Sequence, residues 1–376
     1  MGGSMANKIE LKKINRNNIF HCIYHSDGIS RQEIMAQTGL SMPTVLSNLS
    51  SLTEDNLIVT DGVFKSTGGR RADIIRLNAE ARCAIGIDIT RNHITIAVID
   101  LLGNIIAGGK RETLAFEAAD CYYDQICSRV DEILNEGKID RTSILGVGIS
   151  LPSIVDRKHN KVTYSKEISA PEDICQEFVK RLSYDVEVFN DANSGALAES
   201  FADKGKSDVF YLMLSNSVGG AMIDQNGINL GANCRSGEIG HTKIMPEGRT
   251  CFCGQKGCVN AYCSAKVLSD QAEGNLGEFF TRVNLGDPQA VTAFEEYLRY
   301  LAITVVNIRM MYDCEIILGG YVGGYMERYM NAFRHLVGTY DPYQQDGMYV
   351  WPCRYRMEAS AVGAALNFIQ KFITEI

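Results

Sequence analysis

The sequence predicts an α/β protein that begins with a winged helix-turn-helix and continues into a larger body of two similar lobes. Short helices joined by a glycine turn, followed by a basic hairpin, occupy residues 1–82. Beyond them, residues 97–103 and 221–227 resemble each other, and each stretch lies among alternating apolar strands and amphipathic helices. A small helical unit and an internally repeated α/β body therefore account for the whole chain.

The first element is an amphipathic helix that ends near Asp27-Gly28. Its apolar stripe recurs at helical spacing and comprises Ile9, Ile14, Ile19, Phe20, Ile23 and Tyr24. Ser30 caps a second helix that runs to Thr38, and Glu33 completes a capping box with it.

A third helix follows the Gly39-Leu40 turn. Ser41 is its expected cap, and Pro43 comes early enough to be tolerated. Its buried stripe is expected to contain Val45, Leu46, Leu49 and Leu52. Two helices joined in this way are typical of a unit that inserts its second helix into the major groove of DNA, although short helix pairs also occur as plain packing units.

A hairpin beside these helices favours nucleic-acid binding. Strand-like residues 57–59 and 74–77 flank the glycine-rich basic tip Lys65-Ser-Thr-Gly-Gly-Arg-Arg71. Adjacent cations at such a tip suit phosphate or minor-groove contact, although they are equally compatible with a solvated loop. The predicted contacts to operator DNA are Ser41, Met42, Thr44, Ser47, Asn48, Arg70 and Arg71.

Composition and charge agree with this division of the chain. The chain has 376 residues and a formal net charge of -8. Residues 1–82 carry 10 Lys+Arg against 8 Asp+Glu, whereas the remainder carries 27 against 37. The acidic body should repel nucleic acid, so any phosphate contact is assigned to the N-terminal unit.

The sequence also indicates where the protein works. No apolar run is long enough to span a bilayer, and Lys8, Lys12 and Lys13 lie where a signal peptide would need a hydrophobic core. We therefore expect a soluble, cytoplasmic protein with no membrane partner. Most of its 12 cysteines should then be reduced core residues or metal ligands.

The body contains a repeat. Residues 97–103 and 221–227 match at four of seven positions, and each pair of strands around them is followed by a helix and a buried strand. The predicted helices lie at about 117–136 and 288–313, and the predicted strands at 145–151 and 316–319. Two similar lobes with a ligand-binding cleft between them are expected.

Four candidate metal ligands lie close together in the second lobe. His241, Cys251, Cys253 and Cys258 provide one imidazole and three thiolates in a glycine-rich segment. This is a complete tetrahedral set for structural zinc, with no position left for a reactive water. Reduced cysteines in a glycine-rich loop are the alternative, and nearby Cys263 is assigned to the core.

At this point the chain resembles a known family. Segments 237–241, 251–258 and 189–193 closely resemble motifs of the ROK family of repressors and sugar kinases, as do 317–320 and 360–365. The N-terminal unit, with Ser66-Thr-Gly-Gly-Arg70, is similar to the xylose-repressor-type branch. The resemblance implies an actin-like (ribonuclease H-like) sugar-kinase fold, a zinc site and a homodimer or dimer of dimers. Implied domains are 1–82, a first lobe at 83–190 joined by a C-terminal helix at 359–376, and a second lobe at 191–358 that holds the zinc loop and a dimer interface.

The same resemblance separates sugar binding from catalysis. In the family's kinases, glycine-rich turns expose backbone N–H groups to the ATP phosphates. Here residues 88–92 have lost both glycines of the first turn, and residues 215–220 keep only the final glycine pair of the second. We therefore expect no enzymatic activity. Asp191 would be the general base if the protein were a kinase, and otherwise it binds sugar hydroxyls or caps the following helix.

The implied sugar ligands are Asn190, Asp191, Glu238, His241 and Asn260, where Asn260 replaces a family carboxylate. The resulting hypothesis is a sugar-responsive transcriptional repressor, with xylose metabolism as the expected setting and a pentose, another hexose or a modified sugar as effector. An ATP-dependent sugar kinase with a DNA-binding arm is the alternative. A third reading is a sugar-sensing scaffold for a protein partner.

Overall fold

The computed structural model describes residues 3–63, 73–203 and 207–376. They form an N-terminal unit, two sheet-containing lobes and a long C-terminal helix. Among these residues, none of the helices combines the length and apolar character needed to cross a membrane.

The N-terminal unit contains three helices and a two-stranded antiparallel hairpin. Its elements are α1 (Gly3–Tyr24), α2 (Arg31–Thr38), α3 (Met42–Glu54), β1 (Ile58–Val63) and β2 (Asp73–Leu77). The predicted capping box at Ser30 and Glu33 is confirmed, and Gly39 ends α2 in the left-handed conformation that glycine adopts without a steric penalty. Ser41 is the N-cap residue of α3, but its hydroxyl contacts Thr44 Oγ1 at 3.0 Å and makes no capping bond to the backbone. The predicted cap interaction is therefore wrong, although the helix start is correct.

The first lobe is built on a five-stranded mixed sheet of order β5-β4-β3-β6-β9. Strands β5, β4 and β3 are antiparallel, whereas β3, β6 and β9 run parallel, with Asp88 of β3 paired to Ser150 of β6. The elements are β3 (Cys83–Ile89), β4 (His93–Asp100), β5 (Ile105–Thr113), α4 (Asp120–Glu136), β6 (Ile144–Leu151), β7 (Ile154–Asp156), β8 (Lys161–Tyr164), α5 (Ile174–Val179) and β9 (Val186–Asn190).

The second lobe repeats this plan with the order β12-β11-β10-β13-β14. Its elements are α6 (Asp191–Ala202), β10 (Val209–Leu214), β11 (Val218–Asp224), β12 (Gly227–Ile228), α7 (Asn260–Cys263), α8 (Ala265–Ser269), α9 (Leu276–Asn284), α10 (Pro288–Tyr312), β13 (Glu315–Gly319), α11 (Gly320–Met326), α12 (Met330–Tyr340) and β14 (Val350–Pro352). The two similar sequences at 97–103 and 221–227 lie at the same point of each lobe, where the second strand turns into the third.

The C-terminal helix α13 (Ala359–Glu375) packs on the first-lobe sheet and crosses α6. Close approach requires glycine on both strands beneath it, because a Cβ added at Gly86 would lie 1.8 Å from the Ala361 carbonyl oxygen and one at Gly148 would lie 2.2 Å from that of Ala364. Helix α6 packs in turn against β10 and β11 of the second lobe. The two crossed helices therefore form a close contact between the lobes.

The N-terminal unit shares a hydrophobic core with the first lobe. Ile19, Phe20 and Ile23 of α1 belong to the same buried cluster as Leu101 and Ile369. The Tyr24 hydroxyl donates a hydrogen bond to the Leu101 carbonyl oxygen at 3.1 Å, which strengthens the junction. The unit is thus packed firmly on the body.

Candidate functional site

The candidate site lies in the cleft between the lobes, where the carboxyl ends of β3, β6 and β9 face the β10–β11 turn. Two adjoining pockets occupy this cleft and share Pro152, Glu167, Asp191, Met213 and Ser217. We call them the His241 pocket, which also contains Asn190, Glu238 and Phe252, and the Tyr321 pocket, which also contains Asp88, Thr90 and Arg356.

The His241 pocket brings together four of the five predicted sugar ligands: Asn190, Asp191, Glu238 and His241. Asn190 ends β9 and caps α6, because its Oδ1 accepts a hydrogen bond from the Asn193 N–H at 2.9 Å. The capping role considered for Asp191 thus belongs to Asn190. Asp191 is the first helical residue, and its Oδ1 accepts hydrogen bonds from the Ala192 N–H at 2.8 Å and from Asn190 Nδ2 at 3.1 Å.

Asn260, the fifth predicted sugar ligand, does not line either pocket. It is buried, and its Oδ1 accepts a hydrogen bond from the Val218 N–H at 2.7 Å. Its Nδ2 points toward Cys251 Sγ at 3.9 Å. The amide therefore joins the start of β11 to the cysteine segment beneath the pocket, a role that sequence spacing did not reveal.

Glu167 is a cleft residue that the sequence analysis missed. It lies in the loop after β8 of the first lobe, and its Oε2 accepts a hydrogen bond from Ser217 Oγ of the second lobe at 2.6 Å. Ser217 belongs to the turn at 215–220, so one side of that turn is held across the cleft. No motif surrounds Glu167, and only the fold brings it to the pocket.

Three carboxyl groups line the cleft: Glu167 and Asp191 border both pockets, and Asp88 borders the Tyr321 pocket. Burial raises the pKa of Asp191 well above its usual range, and the carboxylates of Glu167 and Asp88 raise it further. Burial also raises the pKa of Glu167, and it raises that of Asp88 to about 6. A ligand that supplies hydrogen-bond donors stabilises poorly solvated carboxyl groups, because it replaces the hydrogen bonds that they have lost to water. A polyhydroxylated molecule has this chemistry.

The Tyr321 pocket is partly filled by side chains. Thr90 lines this pocket, where the family's kinases have a turn glycine. Its Oγ1 donates a hydrogen bond to the His93 carbonyl oxygen at 3.0 Å. The Arg111 guanidinium lies 4.2 Å from the centre of the Tyr321 ring, within cation–π range. Arg91 is exposed, and its charge acts on Glu167. The pocket therefore differs from an open, glycine-lined phosphate cradle.

The four predicted metal ligands converge beside the His241 pocket. The ligand atoms of His241, Cys251, Cys253 and Cys258 all lie within 4.8 Å of one another. Cys253 Sγ and Cys258 Sγ are 3.8 Å apart, and Cys251 Sγ lies 3.9 Å from His241 Nδ1. Metal–ligand bonds of about 2.0–2.3 Å in a tetrahedron place ligand atoms at roughly such separations. The donor set and its spacing therefore fit a zinc ion.

Local backbone structure explains how this segment wraps. Gly257 has a φ of +76° and packs so tightly that an added Cβ would lie 2.0 Å from the Met245 carbonyl oxygen. The Lys243 ammonium lies 3.4 Å from Cys258 Sγ, where it would offset thiolate charge. Cys263 is fully buried in the core, as predicted.

The outer face of helix α3 differs from the predicted one at two residues. Ser41 and Ser47 are exposed, and Met42 and Thr44 are half-buried. Asn48 was expected to face DNA, but it is 3% exposed and its Nδ2 donates to the Thr44 carbonyl oxygen at 2.8 Å. Leu46 was expected in the core but is 44% exposed. The two residues have exchanged places because the helix is rotated relative to the assumed apolar stripe. Arg70 and Arg71 lie outside the described residues.

The fold and the cleft are those of the two-lobed ROK proteins, a class that includes sugar kinases and transcriptional regulators. The ROK family profile matches residues 84–371, so the chain belongs to the ROK family.

Several named relatives cover most of the chain. It is 27% identical over 323 residues to the xylose repressor of Bacillus subtilis, a match that covers 84% of this chain and 83% of the relative. It is 25% identical over 339 residues to the transcriptional dual regulator NagC of Escherichia coli, covering 85% and 83%. An N-acetylmannosamine kinase of E. coli is 33% identical over 186 residues, but that match covers only 47% of this chain and 62% of the kinase.

Solved structures support the same fold. A ROK family transcriptional regulator, described as a homologue of the E. coli MLC protein, aligns with a TM-score of 0.74 and 20% identity, covering 97% of each chain. A ROK family glucokinase from Streptomyces griseus, solved with glucose and AMPPNP, aligns with a TM-score of 0.64 and 25% identity, covering 76% of this chain and 98% of the kinase. The match to the regulator thus extends over nearly the whole chain, whereas the match to the kinase covers about three quarters of it.

Proposed function

We propose that this protein is a sugar-responsive transcriptional repressor. The observation that carries the proposal is a cleft that keeps hydroxyl-binding side chains at Asn190, Asp191 and Glu238 while its phosphate turns are substituted. Relatives named as repressors of xylose and N-acetylglucosamine systems match more than four fifths of the chain, which supports the same function.

The proposed effector is a small carbohydrate bound in the His241 pocket by Asn190, Asp191, Glu238, His241 and Glu167. A thermal-shift screen should include D-xylose, D-glucose, N-acetylglucosamine and N-acetylmannosamine. A sugar that binds the native state raises the melting temperature as its concentration passes Kd. Asp191→Ala should abolish that rise. Asp224→Ala, at the β11–β12 turn outside both pockets, is the control and should retain it.

The proposed DNA reader is the N-terminal unit, acting as a winged helix-turn-helix in a homodimer or dimer of dimers. Exposed Ser41 and Ser47, with half-buried Met42 and Thr44, are the proposed contacts on α3, and Arg70 and Arg71 are proposed phosphate contacts. Paired units would read matched half-sites. Binding to a duplex selected from a randomised pool should weaken in Arg70→Ala/Arg71→Ala, with a shallower dependence on salt concentration. Unchanged salt-dependent binding would favour the scaffold reading.

The proposed cofactor is one structural zinc ion held by His241, Cys251, Cys253 and Cys258. Bound zinc would fix the segment that carries His241 into the pocket, so metal loss should weaken sugar binding as well. Metal analysis should find one zinc per chain in the purified protein and none in Cys253→Ser. Cys121→Ser, an exposed cysteine on α4, should keep the metal.

The proposed absence of kinase activity has a direct test. Asp191 retains the position of a general base, which is the observation that favours a sugar kinase as the second candidate. ATP and each sugar of the panel should give no phosphorylated product. Turnover that Asp191→Ala abolishes would replace the repressor proposal with a kinase that carries a DNA-binding arm.

A further inference from the structure

Helix α13 has one end at the cleft and the other at the N-terminal unit. At its start, Ser360 Oγ donates a hydrogen bond to the Asp191 carbonyl oxygen at 3.1 Å, and Ala359 and Ser360 line the Tyr321 pocket. At its end, the Thr374 carbonyl oxygen accepts a hydrogen bond from Asn17 Nδ2 of α1 at 3.1 Å. At 1.5 Å per residue, these two contacts lie roughly 20 Å apart along one uninterrupted helix.

Near its cleft end, α13 also crosses α6, and this crossing is a close contact between the lobes. A Cβ added at Gly363 would lie 1.7 Å from the Ser194 carbonyl oxygen of α6, so the two helices touch at their backbones. Helix α13 packs on the first-lobe sheet, whereas α6 packs on both α13 and the second-lobe sheet. A rotation of one lobe against the other must therefore change this crossing, because tightly packed backbones cannot absorb it by deformation.

The other end of α13 reaches the candidate DNA-reading helix through two adjacent residues of α1. Asn17 binds α13, and its neighbour Arg16 contacts Ser51 on α3 and Asp55, the C-cap residue of that helix. The aromatic ring of Phe372, near the end of α13, lies 5.8 Å from the Arg82 guanidinium, at the junction of the unit with the first lobe. Helix α1 is thus held between α3 and α13.

We propose that α13 is the element that couples the sugar cleft to the DNA-reading helix. A change in the lobe crossing moves the Ser360 end of α13, and the Asn17–Arg16 pair transfers the displacement to α3. The physiological meaning of this coupling rests on the proposed repressor function, but the mechanical link itself can be measured without sugar or DNA.

Hydrogen–deuterium exchange of the full chain, free of ligand, tests the link. Ser360→Ala removes the hydrogen bond at the cleft end, and we expect the amides of residues 10–24 in α1 to exchange roughly two- to tenfold faster. Ser269→Ala is the matched control, since Ser269 also donates to a helix carbonyl oxygen, that of Lys266 in α8. It should leave α1 unchanged. Equal exchange of α1 in Ser360→Ala and the wild-type protein would overturn the proposal.

A second pair of variants tests the far end. Ser360→Ala should also speed the exchange of the α3 amides at 42–54, and combining it with Asn17→Ala should remove that effect. Asn18→Ala alters the adjacent, exposed asparagine and should preserve that effect. If both combinations behave alike, Asn17 transmits nothing and the proposed route is wrong. Failure of every sugar to bind would refute the repressor proposal and leave this result intact.

Discussion

Asp88→Asn should stabilise the protein at neutral pH, although it alters a buried side chain in the centre of the cleft. Asp88 is 7% exposed, and its Oδ1 has no hydrogen-bond partner among the described residues. Burial raises its pKa from 3.8 to about 6. The folded protein therefore favours the protonated form of Asp88. The contribution of this group to stability is fully present below pH 3.8 and is lost as the pH rises through about 6.

The magnitude follows from the pKa values. A displacement of about two pKa units at about 1.4 kcal/mol per unit gives roughly 3 kcal/mol of lost stability at pH 7.5, and the same relation gives about 1 kcal/mol at pH 4.5. Asparagine has a similar shape and carries no charge. The gain in the free energy of unfolding should therefore be about 2 kcal/mol larger at pH 7.5 than at pH 4.5.

Urea unfolding at both pH values, followed by circular dichroism, measures this difference. Asp100→Asn is the matched control on the neighbouring strand β4. Its buried carboxylate accepts hydrogen bonds from the N–H groups of Leu102 and Asn104 and from Asn104 Nδ2. Replacing it should destabilise the protein at pH 7.5. A loss of stability in Asp88→Asn at pH 7.5, or a gain that does not depend on pH, would refute the reasoning.

Three further changes test the packing that supports the cleft and the N-terminal unit. Gly86→Ala should lower the free energy of unfolding by about 1–3 kcal/mol, because the added Cβ meets the Ala361 carbonyl oxygen; unchanged urea unfolding would contradict the packing of α13. Glu199→Ala should cost about 2–4 kcal/mol, because the N–H groups of Arg354 and Tyr355 lose a buried acceptor; a melting temperature equal to that of wild type would count against this. Ser30→Ala should lower the free energy of unfolding by about 1 kcal/mol through loss of the capping box, as measured by calorimetry. Ser41 makes no capping bond, so an equal loss in Ser41→Ala would contradict the difference between the two caps.

Local signals in the sequence predicted most of the elements. The predicted strand at 145–151 and the predicted helix at 288–313 match β6 and α10 to within a residue at each end, because apolar periodicity and caps act over a few neighbours. The cluster of candidate metal ligands could also be predicted from the sequence, since residues this close along the chain stay close in space. Family membership, inferred from longer motifs, is confirmed by the match at 84–371.

The missed features depend on contacts between distant segments. Glu167 meets Ser217 only because the lobes face each other, and Asn260 turns away from the pocket to hold the Val218 backbone. The exchange of Leu46 and Asn48 on α3 has the same origin. Packing against α1 sets the rotation of a short helix, and a polar side chain can enter the core when it bonds its own backbone, as Asn48 does with Thr44.

The hydrophobic core shared by the N-terminal unit and the first lobe limits how such regulators can be recombined. Ile19, Phe20 and Ile23 are buried against residues that include Leu101 and Ile369, so the boundary near residue 82 divides the chain in sequence but not in packing. In a hybrid that joins this body to the N-terminal unit of a relative, the apolar side chains on the two sides of this shared core would not match. If α3 reads DNA as proposed, transfer of DNA specificity should exchange the exposed face of α3 alone, with α1 and its partners on α13 left in place.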